Sequence, residues 1–144
     1  MLKSKSRTIL FTKCIYFYKS SDSINIPSNV NVKFEKECII NVLNDMQLFK
    51  INKAENIYIE NGKIIGTGVR SNNHTIYITE SNNIHINGIE IDNSNAIRIN
   101  LISSKDCLIK NCNIHRCSVL GISDKLGANN IIRNNKTNYN GDGK

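Results

Sequence analysis

A short apolar couplet introduced by Asn or Asp returns along this chain at near-constant intervals. It reads Asn29-Val-Asn-Val32, Asn56-Ile-Tyr-Ile59, Asn83-Ile-His-Ile86, Asp106-Cys-Leu-Ile109 and Asn129-Asn-Ile-Ile132, in steps of 27, 27, 23 and 23 residues. A second couplet runs in phase with it: Phe49-Lys-Ile51, Ile76-Tyr-Ile78, Ile97-Arg-Ile99 and Leu120-Gly-Ile122, in steps of 27, 21 and 23. Each couplet alternates apolar with other residues, the period of a half-buried strand. Two or three such strands per repeat do not suit a hairpin sheet, because Asn-Gly turns at hairpin spacing are lacking. They suit one turn of a solenoid stacked on the next at the strand spacing of about 4.8 Å. One coil cannot bury its inner face, but a stack can. The expectation is therefore all-β: a right-handed single-stranded parallel β-helix of roughly five coils. Leucine-rich repeats are excluded, since the Leu-x-x-Leu-x-Leu spacing is missing and nothing helical fills each repeat. A β-sandwich is the runner-up.

Alignment of the repeats sharpens the register. A polar turn position reads Asn61, Gly88, Asn111 and Asn134, with Asn87 beside the glycine that interrupts the ladder. Stacked Asn side chains there would satisfy one another and the turn backbone. A further strand position reads Ile64, Ile91, Ile114 and Thr137. At Asn130 an inward apolar residue is expected and missing, so the last coil either slips by one residue or loses order. The domain reading is one unit over 1–144: a partial first coil (1–20), regular coils (21–133) and a polar tail (134–144).

Composition agrees. Hydrophobic residues make up 40% of the chain, enough for a packed interior, and Ile carries most of that load, which favours strands. Five cysteines, Cys14, Cys38, Cys107, Cys112 and Cys117, are odd in number, and their C-x4-C-x4-C run matches no zinc module. They read as free thiols, mostly buried. The formal charge of +7 reads first as Lys on solvated positions. No basic block alternates with aromatics as a nucleic-acid groove would require, so no nucleic-acid partner is expected. No segment is long and apolar enough for a membrane span, so no membrane partner is expected either. Residues 1–18 mimic a secretory signal, but Lys13 interrupts the apolar run and no small-residue cleavage site follows, so a strand pair is the preferred reading.

Ser23-Ile-Asn-Ile-Pro-Ser-Asn-Val30, Leu48-Phe-Lys-Ile51 and Asn56-Ile-Tyr-Ile-Glu-Asn-Gly-Lys-Ile-Ile-Gly66 resemble the opening coils of the pectin-lyase-like superfamily. The run from Thr8 to Tyr18 looks like the coil before them, and the resemblance extends over residues 8–140. It implies a polysaccharide partner, an activity of the lyase or glycoside hydrolase kind, and an extracellular or surface location. Such proteins carry an upstream capping helix and more coils downstream. Neither is recognisable here, so a truncated relative is expected, with an oligomer or further coils capping the open ends. The alternative is a non-catalytic surface, attachment or glycan-binding solenoid.

The chemistry is less legible. The paired carboxylates of the polygalacturonase branch sit in Asn-Thr-Asp, Asp-Asp and His-Gly signatures, all missing here. Gly62-Lys-Ile-Ile-Gly66 resembles that branch's Gly-x-Ile-Asp-Gly strand with Ile65 in place of Asp. The 12 acidic residues form no cluster of the kind that holds calcium, so no cofactor and no metal is expected. One constellation follows from the register. Six residues past Ile59, Ile86, Ile109 and Ile132 stand Ile65, Asp92, His115 and Asn138. Asp92 and His115 would stack on adjacent coils, with Arg116 beside Asn93. A carboxylate orients an imidazole and an Arg grips a uronate carboxylate, so Asp92, His115 and Arg116 are the candidate site. An ordinary surface ion pair is the plainer reading. Outward Tyr58 and Tyr77 are sugar-stacking candidates or ordinary strand-face aromatics. His85 reads as outward and His74 as a loop residue.

Overall fold

A computed structural model of the chain describes residues 5–69, 72–94, 97–116 and 120–138. In chain order the strands are β1 (Arg7–Phe11), β2 (Ile15–Tyr18), β3 (Ile24–Asn25), β4 (Val30–Phe34), β5 (Ile39–Val42), β6 (Phe49–Asn52), β7 (Glu55–Glu60), β8 (Lys63–Ile65) and β9 (Ile76–Thr79). They continue with β10 (Asn82–Asn87), β11 (Glu90–Asp92), β12 (Ile99–Ile102), β13 (Leu108–Lys110), β14 (Asn113–His115), β15 (Ile122–Lys125), β16 (Ile131–Arg133) and β17 (Lys136–Asn138). Every third strand joins the same sheet. Sheet A runs β1-β4-β7-β10-β13-β16, sheet B β2-β5-β8-β11-β14-β17, and sheet C β3-β6-β9-β12-β15. All pairings are parallel, as between β10 and both β7 and β13. The protein is thus a β-solenoid of about five turns, with no helix among the described residues.

The inward columns are those the alternation predicts. Val32, Ile59, Ile86 and Ile109 stack in sheet A, and Ile40, Ile64, Ile91 and Ile114 in sheet B. All eight are buried. Each fully buried Ile contributes about 1.5–3 kcal/mol. The columns are least covered in the first and last described coils, where Ile9 and Ile132 are 47% and 43% exposed and no further described strand stacks on them. The run from Thr8 to Tyr18 does form strands, β1 and β2, placed in two different sheets of the first coil.

Sheet C corrects the register. Ile99 pairs with Ile76 and Ile122 with Ile99, so the steps there are 27, 23 and 23 and the 21-residue step disappears. Ile97 does not take the inward place assigned to it. Arg98, expected to point outward, is fully buried, and its guanidinium donates to the backbone carbonyl of Arg116 at 3.0 Å. At the last coil the register does not slip, since Ile132 pairs with Ile109. Asn130 instead turns its amide onto the coil beneath, accepting from the Cys107 N–H (2.9 Å) and donating to the Ser104 carbonyl (3.0 Å). Asn135 does the same one corner later, with the Cys112 N–H and the Ile109 carbonyl. A polar residue in an inward column thus satisfies backbone groups that would otherwise be orphaned.

The corners are built from single left-handed residues. Asn29, Asp106 and Asn129 lead into sheet A strands, Asn56 and Asn83 are the second residues of β7 and β10, and Asn61, Gly88, Asn111 and Asn134 precede strands of sheet B, all with positive φ. Asn and Asp enter this region more readily than other side-chain-bearing residues, which explains the chain's wealth of Asn. The bonded Asn ladder lies at the first of these corners, not the second: Asn56 donates to Asn29 (3.1 Å) and Asn83 to Asn56 (2.8 Å). At the second corner Asn87 covers for Gly88 by accepting from Asn111 at 2.9 Å. Cys38, Cys107 and Cys112 are buried free thiols and Cys14 is an exposed one. Cys117 and tail positions 139–144 lie outside the described residues.

Candidate functional site

Alternation along sheet B sends Ile64, Ile91 and Ile114 inward and leaves their neighbours on the outer face. Asp92 pairs with His115 and with Ile65, and His115 with Asn138, so the predicted column forms. Two positions earlier, Lys63, Glu90, Asn113 and Lys136 make a parallel polar column. Arg116, with φ +52, turns the chain out of β14 and swings its side chain back over the coil below.

These residues form one chain of charges across three coils. Arg116 grips Asp92 with two donors, Nε reaching Oδ1 at 2.6 Å and a terminal nitrogen reaching Oδ2. His115 lies between two carboxylates, Nδ1 at 3.2 Å from Asp92 Oδ1 and Nε2 at 2.9 Å from Glu90 Oε1. Lys63 closes the chain, its Nζ 2.9 Å from the same Glu90 oxygen. An imidazolium donates to both carboxylates at once, whereas a neutral ring donates to one. The Asp92 side chain is only 5% exposed, with the Arg116 and His115 side chains against it.

The electrostatics follow from these contacts. The Arg116 hydrogen bond, helped by the charges of His115, Arg116 and Lys63, holds the Asp92 carboxyl below its ordinary value despite partial desolvation. Desolvation pushes Glu90 upward, but hydrogen bonds and charge from Lys63 and His115 outweigh it and its carboxyl also lies low. The Asp92 contact raises Arg116 in turn.

Beside this chain an open groove of about 770 Å³ runs over the last coils, with Asn113, Lys136, Thr137 and Asn138 on its walls together with Glu90, His115 and Arg116. Amides, a hydroxyl and cations suit a hydroxyl-rich or anionic ligand. Glu90 and Lys63 escaped the sequence reading, although their 27-residue spacing matches the early repeat and their opposite charges were a usable signal. Tyr58 faces outward on sheet A, edge-on to His85 at 4.6 Å, and Tyr77 lies 5.3 Å from His74. Neither pair joins the groove. Burial lowers the affinity of His85 and of His74 for a proton. Among the described residues no three His, Cys, Asp or Glu side chains converge as a metal site requires.

Neither a comparison with known protein families nor a search of curated proteins finds a match to this sequence. Among solved structures, the fold is similar to that of "a putative glycosyl hydrolase" from Parabacteroides merdae, with a TM-score of 0.56, 11% identity, and coverage of 88% of this chain and 81% of that one. At that identity the likeness is one of fold alone.

Proposed function

We propose that this chain is a carbohydrate-active β-solenoid, related to the pectin-lyase-like superfamily, whose sugar-contacting surface is the outer face of sheet B. The observation that carries the reading is the Lys63–Glu90–His115–Asp92–Arg116 chain lying against an open groove. Its ion pairs lock several long side chains before any ligand arrives, which lowers the cost of ordering them on binding. The motifs of the opening coils and the glycosyl hydrolase description of the structural neighbour support the same substrate class. In this reading Arg116 and Lys136 hold an anionic sugar, the amides of Asn113 and Asn138 meet its hydroxyls, and Asp92 positions Arg116 and His115.

The test has two arms. The protein is incubated with polygalacturonate, other polyuronates and capsular polysaccharides, and new unsaturated or reducing ends are assayed. Binding to the same panel is measured by calorimetry for the native chain and for Lys136→Ala. Turnover, with binding weakened at least about tenfold in the variant, is the expected outcome. No turnover and no binding across the panel would sink the proposal. A second reading, binding without turnover, is favoured by one specific observation: both Glu90 and Asp92 are held by cations, which leaves neither poised to protonate a leaving oxygen. Saturable binding with no new chain ends would select it.

A further inference from the structure

Cys14 and Cys38 occupy equivalent places on the first two coils. The residues after them, Ile15 and Ile39, are paired in parallel register between β2 and β5, and the Ile39 N–H donates to the Cys14 carbonyl at 3.0 Å. In-register neighbours lie about 4.8 Å apart along a sheet, within the Cα separation that a disulfide spans. Both belong to the column that continues through Gly62, Ile89, Cys112 and Asn135, whose members Cys38, Ile89 and Cys112 are all buried. Among the described residues no other two cysteines are neighbours in register: Cys112 stands between Ile89 and Asn135, and Cys107 between Ile84 and Asn130. The two thiols differ in access. Cys38 is buried, whereas Cys14 is exposed in the coil where Ile15 and Phe17 are 53% and 68% exposed.

We propose that Cys14 and Cys38 are an oxidisable pair whose disulfide staples the first coil to the second. The oxidant class is a small disulfide, for which oxidised glutathione is the probe. The Cys14 thiolate attacks one sulfur of that disulfide, forms a mixed disulfide and releases a first glutathione thiol. The Cys38 thiolate then attacks the Cys14 sulfur, the Cys14–Cys38 bond forms, and the second glutathione leaves as a thiol. Two cysteines lose two electrons, glutathione disulfide gains them, and the two thiol protons end on the two glutathiones. Burial pushes the Cys38 thiol up, so the second step quickens as pH rises. The staple ties strands β1 and β2 to the coil of β4 and β5 on which they pack.

The experiment uses the native full chain. It is incubated with oxidised glutathione, alkylated without reduction, cut with trypsin and mapped by mass spectrometry. Trypsin isolates the two cysteines on separate peptides, residues 14–19 and 37–50. The expected result is those two peptides joined, Cys112 alkylated, and amide exchange over residues 7–18 slowed at least about tenfold in the oxidised protein. The Cys38→Ser variant should stop at a lasting glutathione adduct on Cys14. A native chain that keeps glutathione on Cys14 with Cys38 still alkylatable, or that pairs Cys14 with another cysteine or a second chain, overturns the proposal.

Discussion

Gly62 shows how tightly a single position is set. Its φ of +86° lies where a side chain is strained, and a Cβ built there would stand 2.4 Å from the Phe34 ring. Phe34 cannot easily yield, because it is stacked on Phe11 at a centroid distance of 4.7 Å. Gly62→Ala is therefore expected to cost about 2 kcal/mol or more, read as a lowered denaturation midpoint, with partial recovery when Phe34→Leu is added. Leu126 is the opposite case. It holds φ +58° at a corner and is 78% exposed, so it bears left-handed strain with no packing in return. Leu126→Asn is expected to raise stability by roughly 0.5–1 kcal/mol in chemical denaturation. Asn130 and Arg98 mark where residue-scale reading runs out. Nothing local distinguishes a polar residue that breaks a column from one that bonds into the coil beneath, and Arg in an apolar alternation reads as outward until its carbonyl partner across the stack is known.

At the scale of elements, the strands and their parallel order were legible because period-two alternation recurs in each turn. The two-residue error in sheet C arose because a shift of two preserves alternation: Ile97 and Ile99 fit the pattern equally well. What decides between them is connection length: β11 and β12 are separated by six residues, whereas β8 and β9 are separated by positions 66–75. The stacking of Asp92 on His115 was legible for the same reason, since it needed only counting along one strand. The bidentate grip of Arg116 was not, because it depends on a left-handed turn that redirects the side chain. This sheet B chain has a pH consequence. Glu90 and Asp92 titrate below their ordinary values in the fold. Their stabilisation is complete above the unfolded carboxyl values of about 4 and is lost as pH falls through the lower folded ones. Thermal midpoints should thus fall from about pH 4 downward, and the midpoint gap between the native chain and Asp92→Asn, a few degrees at pH 6, should close over the same interval.

For the whole molecule, backbone pairing runs only between strands of the same sheet on neighbouring coils. Stability should accordingly be graded along the axis instead of shared evenly. Ile57, Ile59, Ile76, Ile78, Ile84, Ile86 and Ile99 in the middle coils are fully buried, while Ile9, Ile15, Phe17, Ile131 and Ile132 at the ends are roughly half exposed or more. Hydrogen exchange should find the amides of β7, β9, β10 and β12 the slowest, and those of β1, β2, β16 and β17 faster by at least about tenfold. Uniform protection across all coils would contradict the nearest-neighbour account.

The 23-residue spacing that links β11 to β14 and β14 to β17 also has a genetic meaning. A replication slip that copies or drops one such unit of coding sequence places each inward column back in phase and each corner back on a residue of the same kind. The gene can then change length in whole turns with the folding rules untouched, while the outer face, where Asp92 and His115 meet, is rewritten at each event.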